Sequence, residues 1–276
     1  LDTEPTRQDN SYHVITLKGD VQNVVLDGFT IADGNANGPI DNSCNTAAAN
    51  RIYHTRGAAI YANPYVINQV NSAEISNCIL ENNTATEVTV YYAYAPCGVT
   101  NITFDFDFDR CITRNNFCGT LSSFLFTASG GNGITSTGSI TNSLFHNNES
   151  TASLGSVFYM ATSTANGGTS SALTLSINGN TFANNVSGDG STFYTVRAQS
   201  STFTNNIIWG NGSTAPFNAS LPPVITADNL IEGGINGSLN VDPVFVDANN
   251  SDYTLDCNSP ALGFGDGAGI DPSSVD

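Results

Sequence analysis

The chain has 276 residues, of which only 11% are charged, with 24 acids against 7 bases and a net charge of −17. Seven bases cannot build the positive face that displaces counterions from DNA or RNA, nor one that holds anionic lipid. No run reaches the roughly 18 apolar residues of a membrane-crossing helix, and the acidic opening LDTEP is not a signal peptide. Neutral sugars, protein surfaces or calcium remain as partners.

Taken in chain order, the elements are short and strand-like. Val14 to Gly19 (VITLKG) and Val24 to Ala36 (VVLDGFTIADGNA) read as strands broken by an Asp33-Gly34 turn. Gly57 to Ala62 (GAAIYA) follows, then SAEIS and the word NCILENN at Asn77 to Asn83. GVTNITFDF leads into RCITRNN (Arg110 to Asn116), and Ser122 to Ala128 (SSFLFTA) leads through GSITN into NSLFHNN (Asn142 to Asn148). GSVFYMA (Gly155 to Ala161) and ALTLSIN precede NTFANN (Asn180 to Asn185). GSTFYTV (Gly190 to Val196) precedes STFTNN (Ser201 to Asn206). No segment carries a 3.6-residue apolar period, and the joints are Gly, Asn, Ser and Asp.

The recurring word is the key. The first Asn of each pair stands at Asn82, Asn115, Asn147, Asn184 and Asn205, at intervals of 33, 32, 37 and 21, within the repeat range of solenoids. Two positions earlier stand Leu80, Thr113, Phe145, Phe182 and Phe203, and four earlier stand Cys78, Cys111, Ser143, Asn180 and Ser201. Strand alternation puts both columns on the inner face. The column one before the Asn (Glu81, Arg114, His146, Ala183, Thr204) then faces solvent. Asn tolerates the left-handed backbone region, and stacked amides form hydrogen-bonded ladders. The five first Asn residues are therefore expected to form a turn ladder. The predicted fold is all-β: one right-handed, single-stranded parallel β-helix over residues 1–276, three short strands per coil, with loop insertions and a closing segment at 240–276.

Two longer runs carry a family resemblance. Asp9 to Gly38 (DNSYHVITLKGDVQNVVLDGFTIADGNANG) is similar to the opening of right-handed β-helix proteins of the choice-of-anchor Q type, and Asn240 to Asp266 (NVDPVFVDANNSDYTLDCNSPALGFGD) resembles that family's ending. The coils between resemble the repeats of polymorphic outer-membrane proteins. The resemblance implies a secreted or cell-surface protein of the Bacteroidota type, a portion of a longer chain. It also implies contact with secretion machinery or with the rest of a parent polypeptide.

The sharpest chemical feature is FDFDFD, Phe104 to Asp109. Alternation sends the phenylalanines inward and Asp105, Asp107 and Asp109 outward, about 7 Å apart. Three carboxylates in line are a candidate calcium site, since that ion prefers oxygen ligands; a solvated acidic strand is the plain alternative. Pectate-lyase-type enzymes resemble this architecture and set calcium-binding acids beside a basic residue, here Arg110 or Arg114. The paired carboxylates that glycoside hydrolysis needs are not apparent, and three scattered histidines make no metal site. In YHTRG, His54 and Arg56 lie near each other, and His54 reads as a surface loop residue. Of six cysteines, Cys78 and Cys111 fall at equivalent positions in neighbouring coils, within disulfide reach, although two stacked thiols would look the same. Cys97 and Cys118 are expected to pin loops, and Cys257 the end. Eight glycosylation sequons occur, among them Asn148, Asn185 and Asn211, and the tyrosines of YYAYA (Tyr91 to Ala95) are candidates for stacking on sugars. The expected function is a non-catalytic, adhesin-like surface module contacting glycans or cell-surface proteins. The alternatives are a calcium-dependent polysaccharide lyase and a type IX secretion cargo or spacer without ligand.

Overall fold

The computed structural model describes residues 10–39, 54–64, 66–95, 99–128, 133–151, 154–162, 171–197, 200–220 and 223–264. Within them the chain winds through seven coils, each adding one strand in turn to three parallel sheets. The first sheet takes Ile15–Lys18, Ile60–Asn63, Tyr91–Ala93, Phe124–Ala128, Phe158–Thr162, Phe193–Val196 and Phe217–Ser220. The second runs from Val21–Asp27 through Thr103–Asp109 and Thr135–Thr141 to Val224–Ile225, and the third from Thr30–Ala32 through Ile112–Arg114 to Leu230–Ile231. Two-residue strands (Asn35–Ala36, Thr84–Ala85, Phe117–Cys118, Glu149–Ser150) add a fourth, narrower sheet to the first four coils. This is the expected parallel β-helix.

Single left-handed residues make the corners. Between the second and third sheets these are Gly28, Asn77, Arg110, Asn142, Gly179 and Asn205. After the third sheet they are Asp33, Asn82, Asn115, Asn147, Asn184 and Gly210. One residue in that region turns an extended chain without breaking it, and the conformation costs least for Asn, Asp and Gly. Arg110 is the exception. Its guanidinium is tied to Asn77 Oδ1 at 3.0 Å and paired with Asp109.

Alternation then fills the interior. Phe104, Phe106 and Phe108 of the second sheet, Phe124 and Phe158 of the first and Phe145 and Phe182 of the third are all buried. Their rings meet in offset and edge-on pairs: Phe145 to Phe182 at 4.8 Å, Phe158 to Phe182 at 5.5 Å, Phe193 to Phe203 at 5.0 Å. Each such pair contributes about 0.5–1.5 kcal/mol beyond the area it buries. The core is thus a column of rings along the helix axis, coupled from coil to coil.

The last coil is covered from below by its own continuation. Leu239 pairs with Leu230, the Ile231 N–H donates to Leu239 O at 2.8 Å, and Ile235 packs on the core. Beyond it, Phe245–Asp247 and Asp252–Leu255 form an antiparallel hairpin around a short 3-10 turn. That hairpin does not sit on the helix end. It folds back against the outside of the third sheet, where the Asn184 amide donates to the Tyr253 hydroxyl at 2.9 Å and the Asn147 amide to Ser251 Oγ at 3.3 Å.

Candidate functional site: a cleft on the first sheet, and the polar columns

The acidic strand alternates as its sequence dictates, with Phe104, Phe106 and Phe108 inside. Its three carboxylates, however, are engaged one by one by the next coil. Asp105 accepts from the Thr137 hydroxyl (2.9 Å), Asp107 from the Ser139 backbone N–H and hydroxyl (3.0 and 2.5 Å), and Asp109 from Thr141 and Asn142 (2.6 and 3.0 Å). Parallel stacking brings a Thr or Ser opposite every Asp, so each acid finds its own donor. Among the described residues no group of three His, Cys, Asp or Glu side chains could hold a metal ion. Asp105, Asp107 and Asp109, the residues of the calcium expectation, thus stand as three separately hydrogen-bonded carboxylates. The neighbouring bases are likewise held: Arg110 by Asn77 and Asp109, and Arg114 by Glu81 at 2.7 Å.

The asparagine ladder exists, but its rungs are not the five first Asn residues. Asn82, Asn115, Asn147 and Asn184 supply the left-handed corner; the residue after each points inward. Asn83, Asn116, Asn148, Asn185 and Asn211 are all buried. Each of the first four donates its backbone N–H and its side-chain N–H to the Oδ1 of the next, at 2.8–3.3 Å. Each of the five also donates to a strand carbonyl of the coil before. Asn205 belongs to a different corner, the one before the third sheet, because Thr202–Thr204 pairs with the end of Ala172–Asn178 in the second sheet. Phe203 is accordingly a second-sheet residue, and Ile208 takes the place opposite Phe182. Burial of Asn148, Asn185 and Asn211 also places three of the sequons inside the folded chain.

That other corner carries a second ladder. Going down the stack, backbone N–H groups donate from Phe29 to Cys78 Sγ (3.4 Å), from Cys78 to Cys111 Sγ (3.3 Å) and from Cys111 to Ser143 Oγ (3.0 Å). They continue from Ser143 to Asn180, from Asn180 to Asn206 and from Asn206 to Asn229. The Cys78–Cys111 bridge is therefore corrected: both are buried free thiols; Cys118 is a third buried free thiol, and Cys257 is free and exposed. Each of the Cys78 and Cys111 sulfurs accepts the amide of the preceding coil, and each thiol also donates to a backbone carbonyl, Cys78 to Leu26 O (3.5 Å) and Cys111 to Asp109 O (3.2 Å). Cys44 and Cys97 lie outside the described residues.

The expected solvent column also changes. Glu81 and Arg114 are partly exposed, but His146 is buried under the hairpin, its ring 5.0 Å from that of Tyr253. Burial, reinforced by the Arg114 guanidinium, pushes the His146 imidazole down from 6.5 to about 4. Its Nδ1 has no hydrogen-bond partner. The native state consequently binds fewer protons than the unfolded chain between these two values. The stabilisation is complete above pH 6.5 and is lost as pH falls toward 4, by up to about 3 kcal/mol. His13, lowered by burial, adds in the same direction. The urea midpoint should therefore drop across this window in wild type and drop much less in His146→Phe. Equal drops in both proteins would refute the assignment to His146.

The outer face of the first sheet holds a concave feature with mixed chemistry. Register sets Tyr61, Tyr92, Leu125, Tyr159 and Tyr194 on one line. Tyr61 and Tyr92 stack at 5.4 Å, and Tyr159 and Tyr194 at 4.9 Å. Arg56 lies over Tyr92, 5.3 Å from the ring centre. It donates to the Tyr92 hydroxyl (2.8 Å) and to Glu87 (2.5 Å), with which it also forms an ion pair. Burial opposes the charge on Arg56, but Tyr92 and Glu87 outweigh it and raise the pKa. Beside this group is a cavity of about 290 Å³ lined by Arg56, Tyr94, Leu121, Leu125, Tyr159 and Thr162, among others. Within YYAYA, Tyr91 points inward onto Phe106 (4.0 Å), Tyr92 is covered, and only Tyr94 reaches the cleft half-buried. Arg56, which the sequence sets near His54 without a role of its own, is thus part of a built site. Glu87 and Tyr159 carried no sequence signal, since their meeting depends on coil register. No family model, curated protein or solved structure matches the chain.

Proposed function

We propose that the protein is a non-catalytic, secreted or cell-surface β-helix module that contacts glycans or protein partners through its outer walls. The observation that carries this reading is the placement of the ionisable groups. Every group that could have served a lyase-type reaction on the acidic strand is tied into cross-coil bonds: Asp105, Asp107 and Asp109 to Thr137, Ser139, Thr141 and Asn142, and Arg110 and Arg114 to Asn77, Asp109 and Glu81. A general base must reach a substrate proton, and groups so engaged are organised for rigidity. A stiff stack with an acidic, base-poor surface suits display. The likeness of the opening and closing runs to choice-of-anchor Q proteins supports an extracellular location.

The test pairs binding with turnover. The full chain is incubated with acidic polysaccharides and calcium, and unsaturated product is followed by absorbance; no product above buffer is expected. Labelled protein is applied to glycan arrays and to cells, where saturable binding is expected. Robust turnover that disappears in Asp107→Ala would establish the lyase alternative and defeat this reading.

A further inference from the structure

We propose that the cleft on the first sheet is a subsite for a neutral pyranose ring, seated against Tyr159 at the place where the tyrosine column skips a rung. The inference deepens the preceding reading and rests on it.

Between Thr16 and Asn218 the column runs through five positions, with Tyr at four and Leu125 at the middle one. Adjacent strands are about 4.8 Å apart, which is also about the spacing of stacked rings. Tyr61 and Tyr92 stack, as do Tyr159 and Tyr194; Leu125 supplies no ring to join the two pairs. The cavity opens beside that gap, with Leu125 and Tyr159 in its wall. One face of Tyr159 is occupied by Tyr194, and Tyr92 is covered by Arg56. Tyr159 is half-buried against the cluster that includes Leu125, and the slot meets the part of its ring face that lines the cavity, backed by Tyr194.

The chemistry around that face selects the ligand. Leu121 and Leu125 extend an apolar floor. The Thr162 hydroxyl donates to Arg197 O and the Thr127 hydroxyl to Ala93 O, so their oxygens keep lone pairs for an incoming hydroxyl donor. Arg56 is neutralised by Glu87, and the chain's net charge of −17 opposes anions. A flat ring, apolar on one face, hydroxylated at its edge and uncharged, matches all three features. The volume of about 290 Å³ is at the small end of ligand pockets, which suits a short stretch of saccharide and not a folded partner.

The experiment titrates the full chain with short neutral oligosaccharides of glucose, mannose, galactose and xylose, with a uronic-acid oligosaccharide and a simple phenol as comparison probes, by calorimetry and saturation-transfer NMR. Wild type should bind at least one neutral sugar in preference to the comparison probes. Tyr159→Ala should weaken it about tenfold or more, and Tyr159→Phe should bind like wild type. Leu125→Tyr, which fills the missing rung, should abolish binding while leaving the melting temperature unchanged or raised. The proposal is overturned if no neutral sugar binds, if the uronic acid or the phenol is preferred, or if binding survives both Tyr159→Ala and Leu125→Tyr. Absence of sugar binding without turnover defeats this subsite alone, whereas turnover of any sugar defeats the non-catalytic reading beneath it.

Discussion

Asn148→Ala is expected to lower the unfolding free energy by about 3–5 kcal/mol, although it removes only a small polar side chain. Asn148 is fully buried at the middle of the five-rung ladder. Its Oδ1 accepts from the Asn116 backbone and side-chain N–H groups, and its Nδ2 donates to Thr113 O and Asn185 Oδ1. Truncation leaves the Asn116 backbone N–H without its acceptor and strips Asn185 Oδ1 of one donor. A buried polar group deprived of its partner costs about 1–3 kcal/mol, and the cavity adds to it. The contrast with the preceding residue separates the two roles. Asn147 supplies the left-handed corner, with φ at 53°, and its amide reaches only the hairpin. Asn147→Ala should cost about 1–2 kcal/mol, the usual penalty for a side chain in that region. Urea unfolding of both variants decides the matter: equal losses would mean that the inner amides do not hold the coils together.

This division of labour explains what the sequence could and could not disclose. The word Asn-Asn is readable because each corner needs a left-handed residue followed by an inward polar one. The same need arises at two corners of every coil, so the word does not say which corner it marks. Asn205 and Asn206 belong before the third sheet, level with Gly179 and Asn180, although STFTNN looks like NTFANN. Coil length also varies, from a ladder offset of 49 residues at Gly34–Asn83 to 23 at Asn206–Asn229, so spacing alone cannot set register. Alternation fixed the inward rings of Phe104, Phe106 and Phe108 correctly because it is local. The burial of His146 was illegible for the opposite reason. It depends on a hairpin whose Ser251 is 104 residues from its Asn147 contact. The missing tyrosine rung at Leu125 is equally a product of register, visible only once five coils are stacked.

Among the described glycines, Gly138→Ala should be the most damaging change to Ala, costing about 3–5 kcal/mol and lowering the melting temperature by roughly 10 °C. Gly138 is the inward residue of the second sheet between Phe106 and Leu175. Its φ is +153°, and a Cβ there would lie 1.9 Å from Phe106 O and 2.8 Å from Phe106 C. Those are strand backbone atoms, so relief means prying apart two paired strands or flattening the bend that φ maintains. Phe106 cannot retreat inward either, because Tyr91 stacks on it at 4.0 Å and Phe126 stands 5.7 Å away. Backbone strain alone accounts for about 1–3 kcal/mol, and overpacking a filled interior for a similar amount. Gly212 provides the measure of the first effect without the second: its φ is +80°, and a Cβ added there would meet nothing within 4 Å. Gly212→Ala should therefore cost about 1–2 kcal/mol. If Gly138→Ala proved no worse, the close approach of Phe106 O would be wrong. The register of the second sheet, which sets both the inward rings and the Asp-to-Ser and Asp-to-Thr bonds on the outside, would fall with it.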